Sequence, residues 1–299
     1  MDAIDTDDGA GNGARSSARA VGESRAALTA DALSRFEGDG GVLAALAVTQ
    51  ASPSTNSELL AALTDEPGAW PHMSALVADH QTAGRGRAGR EWHTPQGAAL
   101  TVSYVVRPQL PRERWGMVPL VVGLAAVKTM RSRGIDASLK WPNDVVVDCG
   151  GGDGNEIAGW GTLRKVAGIL CEAQGDAVVA GIGINVSQSG AELPVPHAAS
   201  MATVGAADLD RASLFAELSG HVAAEIRRAE VDPRAFIAEV SLSTSTLGRH
   251  VVAERPGASP LTGVAEGIGA DGSLTVRTAA GELITVTAGD VRLRVAATP

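Results

Sequence analysis

Three glycines and three arginines interleave in Gly84-Arg85-Gly86-Arg87-Ala88-Gly89-Arg90, just after Gln81 and just before Glu91-Trp92. Glycine lets a backbone approach a ligand closely and change conformation. Arginine brings a permanent planar charge suited to phosphate or carboxylate. The segment reads as a mobile loop able to close on an anionic small molecule; a solvated basic turn and an arginine-glycine segment that touches RNA are the other readings open at this point. Lysine adds a second signal through its scarcity. Only three of the 25 basic residues are lysines, namely Lys128, Lys140 and Lys165. In a chain that otherwise uses arginine, the remaining lysines either mark places where a compact, titratable ammonium is required rather than any positive charge, or stand there by chance.

Composition bounds what such a site can be. The 299 residues have room for one large domain and a small one. Hydrophobic residues make up 44% and aromatics only 3%, so Ala, Val and Leu must fill the core. A formal charge of −9 and a pI near 5.2 argue against binding nucleic acid through the whole surface. An RNA-binding module would also supply aromatic stacking platforms, and the chain has one tyrosine and three phenylalanines. An arginine-rich loop on an acidic protein is better read as a focused anion site. Cys149 and Cys171 form neither a disulfide framework nor a metal spacing, and the six histidines show no metal-binding cluster. With no targeting segment and no apolar run of membrane length, a cytoplasmic protein is expected. Gly267-Ile268-Gly269-Ala270-Asp271-Gly272 satisfies G-x-G-x-x-G, but a strand-like Ser273-Leu274-Thr275-Val276 follows it instead of a helix. It is a hairpin turn, not a dinucleotide site. P-loop and G-x-S-x-G patterns are absent from the sequence.

Residues 1–40 read as a mostly unstructured tail, with a short helix from Ser24 to Phe36. The main region, 41–246, opens with a strand over Val42–Val48, then a helix through Leu59, Leu60 and Leu63 with Ser54 or Thr55 as its cap. Strands over Met73–Asp79 and Ala98–Val106 and an amphipathic helix over Trp115–Arg131 follow. Lys140-Trp141-Pro142-Asn143-Asp144 is a turn before a strand at Val145–Asp148, and the glycine-rich Gly150–Gly161 reads as a solvent loop. Val166–Ala173 and Ala177–Val186 form a hairpin about Gly175-Asp176. Helices over Arg211–Glu230 and Pro233–Ser241 close this region. From 247 to 299 short strands and turns indicate a small all-β domain.

Four segments together resemble the biotin protein ligase family: Ser54-Thr55-Asn56; Gln81 with Gly84 to Trp92; Lys140-Trp141-Pro142-Asn143-Asp144; and Lys165-Val166-Ala167-Gly168-Ile169-Leu170 with Gly181-Ile182-Gly183-Ile184-Asn185-Val186. The Gly-Arg loop and the Lys-Trp-Pro-Asn-Asp turn are the specific signals, since helix capping explains Ser-Thr-Asn equally well. The resemblance implies an α+β fold: a mixed β-sheet with helices packed on one face, like the class II aminoacyl-tRNA synthetases, plus a C-terminal SH3-like barrel. It implies a two-step reaction in which biotin and ATP give biotinyl-5'-AMP, with Mg2+, and the biotinyl group then passes to a lysine of a biotin carboxyl carrier domain of an acyl-CoA or pyruvate carboxylase. Arg87, Lys140, Asp144 and Lys165 would be the catalytic set. Ser54, Thr55, Asn56, Gln81, Arg85 and Gly86, with Arg87 and Lys165, would bind biotin. Arg87, Lys140, Trp141, Asn143 and Asn185 would bind the nucleotide, with no metal-ligating residue. Asp144 is open among three roles: organising Lys140, helping to bind a magnesium-associated phosphate, or accepting the proton of the incoming amine. A lipoate or octanoate ligase or transferase of the same fold is the nearest alternative. The region before the main domain is too short and too polar for the winged helix of the repressor members, so sequence-specific DNA binding is not expected.

Overall fold

The computed structural model describes residues 25–38, 41–150, 155–287 and 289–293. Most of the expected tail, residues 1–24, lies outside the described residues. In chain order the first half holds helix α1 (Ala30–Leu33), strand β1 (Ala45–Thr49), helix α2 (Thr55–Asp65), strand β2 (Ser74–Ala78), a small hairpin β3 (Gly84–Arg85) and β4 (Glu91–Trp92), strand β5 (Ala99–Val106) and helix α3 (Val118–Ser132). Strands β6 (Ala137–Lys140), β7 (Asp144–Asp148), β8 (Leu163–Gln174) and β9 (Ala177–Asn185) then lead to helices α4 (Arg211–Val231) and α5 (Pro233–Leu242).

Seven strands form one mixed sheet in the order β1-β2-β5-β9-β8-β7-β6, with β1 parallel to β2 and the other pairs antiparallel. The alternation of a strand decides which residues face which layer. Leu100, Val102, Tyr104 and Val106 of β5 and Val178, Ala180, Ile182 and Ile184 of β9 enter the main core with α3 and α4. Helix α3 is apolar on nearly every side, from Val118 through Val127, and is accordingly buried between the sheet and α4. This is the layer of helices expected on one face. The other face carries a single helix, α2, whose Leu59 and Leu63 pack on Leu76, Val105, Ala177 and Val179.

The C-terminal unit is a five-stranded antiparallel sheet in the order β13-β12-β11-β10-β14, built from β10 (His250–Glu254), β11 (Leu261–Ile268), β12 (Leu274–Arg277), β13 (Leu283–Val286) and β14 (Asp290–Leu293). Gly269 N donates to Ser273 O (2.8 Å) and Gly272 has φ +85, so the G-x-G-x-x-G segment is indeed the β11–β12 turn. Its carbonyl at Gly272 accepts from Trp141 Nε1 (2.9 Å), and Thr246 Oγ1 accepts from Trp141 N (2.9 Å). Trp141 thereby joins the small unit to the large one. No helix among the described residues is long and apolar enough to cross a membrane.

One correction concerns the N-terminal segment. Residues 25–38 were expected to belong to a mostly unstructured tail with a short helix over Ser24–Phe36; the helix is present in part, as α1 and a 3-10 turn over Ser34–Phe36, but Leu28 and Leu33 are buried in the main core. Arg25 holds Glu192 (2.8 Å) and donates to Ser187 O (2.9 Å). Average composition misses this because a few well-spaced apolar residues and one buried ion pair are enough to dock so short a segment. That pair is Arg211 Nη2 on Asp79 Oδ1 (2.7 Å), with Leu28 N donating to the same oxygen (3.0 Å) and Arg211 donating also to Ala26 O and Ala99 O. Removing one partner of a buried ion pair leaves an uncompensated charge. Arg211→Leu is therefore expected to cost about 3–5 kcal/mol in urea unfolding, and pairing it with Asp79→Leu should recover much of the loss. A single substitution no worse than the double one would refute the pairing argument.

Candidate active site

The sheet opens into a cavity because its apolar face runs out of side chains. On the α2 side, β9 presents Ala177 and Val179 to Leu59 and Leu63, then Gly181, Gly183 and Asn185 in the same alternation. Gly168 of β8 lies directly beside Gly183, and Leu170 beside Gly181. These glycines are close-approach positions. A Cβ at Gly181 would lie 2.1 Å from Asn56 Oδ1, and one at Gly183 would lie 2.6 Å from Trp92 Cε2. The resulting cavity has a volume of about 810 Å³.

One end of the cavity is polar and neutral. Ser54 caps α2, accepting from Ser57 N (3.4 Å), which sets Thr55 and Asn56 in the first turn. Gln81 Oε1 accepts from Thr55 N (2.9 Å) and Thr55 Oγ1 (3.0 Å). Ser103 Oγ of β5, with one proton to give, lies 2.7 Å from Thr55 Oγ1 and 2.6 Å from Asn56 Oδ1. Asn56 Nδ2 is taken by Leu170 O and Glu172 Oε2, both at 3.0 Å. Asn56 thus braces α2 against β8. Arg85, half-exposed, is likewise engaged by Glu172 (2.8 Å) and Ser57 Oγ (3.0 Å).

The other end is charged. The turn Trp141-Pro142-Asn143 places Lys140 and Asp144 as cross-strand partners on β6 and β7. In β8 an extra residue bulges where Val145 and Val146 pair with Ala167 and Lys165. Bulges re-aim side chains, and here Lys165 Nζ reaches Asp144 Oδ1 at 2.6 Å while Lys140 Nζ lies 3.5 Å from Oδ2. Burial alone would push the Asp144 carboxyl up, but the Lys165 and Lys140 ammoniums outweigh it and hold it below the usual carboxylate range. Burial pushes the Lys140 ammonium down, against the attraction of Asp144. Asn143 Nδ2 donates to Ile169 O (2.7 Å) and its Oδ1 accepts from Arg87 Nη1 (3.4 Å). Arg87 Nη2 also donates to Gly289 O (3.2 Å), and Arg90 pairs with Asp290. The Gly-Arg loop is therefore fastened to the start of β14. Asn185 Nδ2 donates to Ala199 O (2.9 Å), bracing the segment that brings His197 and Ala198 to the cavity wall.

Of the residues expected at a site, Ser54, Thr55, Asn56, Gln81, Arg85, Gly86, Arg87, Lys140, Asn143, Asp144, Lys165 and Asn185 all line this one cavity. Trp141, expected to bind nucleotide, does not: it is 2% exposed and its ring is committed to Gly272. The expected solvent loop also needs correction. In its described part Trp160 lines the cavity, stacked on His197 with centroids 4.2 Å apart. Neither Trp160, His197 nor Ser103 carried a sequence signal, because each reaches the site from a segment without motif. Among the described residues no cluster of three or more His, Cys, Asp or Glu suits a metal ion. Asp144, the carboxylate between the two lysines, is already spent on two ammoniums, and Asp290 is spent on Arg90, so this donor set does not fit a metal held by the protein alone.

A neutral polar pocket continuous with a cationic one, covered by an arginine loop and flanked by the C-terminal sheet, is suited to binding an anionic ligand. Residues 48–189 match the Biotin/lipoate A/B protein ligase family, and residues 246–294 match the Biotin protein ligase C terminal domain. The biotin–[acetyl-CoA-carboxylase] ligase of Mycobacterium tuberculosis is 34% identical over 251 residues, covering 82% of this chain and 88% of that protein. The protein of the same name from Paracoccus denitrificans is 32% identical over 249 residues, covering 77% and 93%. The structure of the biotin protein ligase from Aquifex aeolicus in complex with biotin and ATP superposes with a TM-score of 0.67 at 28% identity, over 84% of this chain and 99% of that one. The chain belongs to the biotin protein ligase family.

The site's electrostatics carry a pH signature. Burial, reinforced by Lys165, holds His197 down at about 4. The unfolded chain takes up that proton near the ordinary histidine value of about 6.5, the folded chain only near 4, so stability must fall as pH drops through that window. The depressed Asp144 adds a further loss below the ordinary carboxylate range. His197→Phe, which keeps the stack and cannot protonate, is expected to flatten the urea midpoint between pH 6.5 and pH 4.5; an unchanged slope would show that His197 does not set it.

Proposed function

We propose that this protein activates biotin with ATP to biotinyl-5'-AMP and transfers the biotinyl group to a lysine of a biotin carboxyl carrier domain of an acyl-CoA or pyruvate carboxylase, in the cytoplasm. The observation that carries the reading is the sharing of Asp144 by Lys140 and Lys165 in the same cavity as the Thr55–Gln81 pair. The bicyclic head of biotin needs fixed donors and acceptors in a flat slot. Ser54, Thr55 and Gln81 supply the first, and Gly168 and Gly183, which let Trp92 pack directly against the sheet, supply a flat wall.

In the first step a carboxylate oxygen of biotin attacks the α-phosphorus of ATP, and the bond to pyrophosphate breaks. Two anions meet there, so positive charge must already be in place. Lys165 orients the carboxylate, while Lys140 and Arg87 meet the α-phosphate, with Asn143 and Asn185 framing the nucleotide. A magnesium ion would arrive on the triphosphate, as is usual for such ions, and none of the steps attributed to these residues runs through it. In the second step the amine of the carrier lysine attacks the acyl carbonyl, AMP leaves, and a proton is released. Asp144 has both oxygens facing ammoniums and a depressed pKa. It is a poor proton acceptor on that account, and we assign it the first of its three roles, organising the lysines. The loop from Gly86 to Arg90 shields the adenylate from water until the carrier arrives.

Incubation with biotin, Mg·ATP and a biotin carrier domain should attach one biotinyl group to the carrier lysine, and lipoate should not compete. A chain with no biotin-dependent ATP–pyrophosphate exchange would end this reading. Lys165→Ala is expected to slow that exchange by about 10²–10³-fold, as for loss of one charge-stabilising donor. Arg87→Gly is expected to keep part of the adenylation and to release the adenylate faster in a filter or rapid-quench assay; release as slow as wild type would contradict the shielding role of the loop.

A further inference from the structure

The chemistry above leaves one wall of the cavity without a task. Asn155–Gly161, the described end of the glycine-rich stretch between β7 and β8, folds into a tight turn in which Trp160 N and Gly161 N both donate to Ile157 O (2.9 and 2.7 Å). Leu293 N donates to Gly159 O (2.9 Å), an antiparallel bridge onto β14, the edge strand of the C-terminal sheet. These bonds set the Trp160 indole between two neighbours. It stacks on the His197 imidazole, 4.2 Å away at 13°, and Lys140 Nζ sits over the ring, 4.4 Å from a centroid.

Lys140 needs such a neighbour. It is 4% exposed, on a flexible four-carbon stem. Its carboxylate partner is 3.5 Å away and is held more closely, at 2.6 Å, by Lys165. Asp144 alone leaves the ammonium loosely placed. A second carboxylate would fix it but would also cancel the charge that an anionic substrate requires. An aromatic face attracts an ammonium within about 6 Å through its quadrupole and carries no net charge, so the N–H groups remain available to an incoming oxygen. His197, held neutral at pH 7 by burial, backs the indole without placing a like charge near Lys140.

We propose that Trp160 is a positioning residue for Lys140: the indole face holds the ammonium toward the anion end of the cavity without neutralising it, and the Gly159–Leu293 bridge ties that position to the C-terminal sheet. The consequence for rate rests on the adenylation reading; the placement of Lys140 does not. Trp160→Leu fills the space without a π face, and Trp160→Phe keeps the face. In the ligand-free full chain, acetylation of Lys140 by acetic anhydride is read by mass spectrometry, with Lys128 and Lys165 as internal references. Trp160→Leu is expected to raise Lys140 labelling roughly fivefold, as loss of a desolvated cation–π contact implies, and Trp160→Phe to stay near wild type. In biotin-dependent ATP–pyrophosphate exchange, Trp160→Leu should lower kcat by about tenfold on the same ground, with the KM for biotin little changed, and Trp160→Phe should recover most of the rate. Wild-type labelling of Lys140 in Trp160→Leu overturns the proposal, whatever happens to the rate. So does a rate loss that appears only in KM or tracks a lowered Tm. If the wild type shows no biotin-dependent exchange, the functional reading fails, and the labelling still decides where Trp160 holds Lys140.

Discussion

Two ammoniums, one buried and one partly exposed, share one buried carboxylate, and the rest of the site is arranged around that imbalance. Asp144 faces Lys165 at 2.6 Å and Lys140 at 3.5 Å. Each buried ion carries a desolvation penalty of several kcal/mol, recovered only if the charges pair well and their remaining valences are met. Three groups with a net charge of one cannot all be matched internally. The pair nearest ideal geometry, Lys165–Asp144, is the internal one, and Lys140 is left with charge to give. A site built in this way is complete only with an anion, and the anion is best placed at Lys140. The positive surplus is thus a binding determinant fixed before any substrate arrives, the kind of preorganisation that stabilises developing negative charge without later rearrangement.

The sheet delivers this geometry through three local departures from regular pairing. A three-residue turn sets Lys140 across from Asp144. A bulge in β8 shifts the alternation so that Lys165 turns toward the same carboxylate. Glycines at 168, 181 and 183 let Trp92 and Asn56 pack directly against the sheet. Each departure weakens the sheet locally and sits next to the cavity, while Val145, Val146, Val166 and Ala167 around the bulge stay in the main core. Stability is concentrated on one face and chemistry on the other.

Much of this was legible in the residues themselves, for identifiable reasons. The β8–β9 hairpin was readable because β-branched runs flank a Gly-Asp turn, and α4 because Arg211–Glu230 keeps a helical period. Lys140, Asp144 and Lys165 stood out because lysine is rare and the turn motif is specific. The bulge was not readable, since Val166-Ala167-Gly168-Ile169-Leu170 is a continuous apolar and glycine run with no alternation for an extra residue to break. Trp141 was misjudged because a tryptophan beside a functional lysine can face either layer, and only the Gly272 carbonyl decides it. The 25–38 segment failed on averages, its docking depending on Arg25, Leu28 and Leu33 individually. Trp160 failed because its glycine-rich surroundings look like solvent loop, while its position is set by a distant strand, β14.

That same strand explains how the loop over the cavity can be both closed and releasable. Arg87 donates to Gly289 O, and Arg90 pairs with Asp290, where β14 begins. The Arg90–Asp290 pair is largely exposed, and exposed ion pairs contribute about 0–1 kcal/mol; a hydrogen bond to a neutral carbonyl adds about 1 kcal/mol more. Together these bias the loop toward closure by roughly a factor of ten, enough to keep water away from a reactive intermediate for most of the time. A buried latch several times stronger would hold the loop shut against both substrates and carrier. A loop with no contact to β14 would lack that bias. Arginine on flexible glycine backbone, with Arg90 paired at the surface and Arg87 half-buried, falls between those two limits.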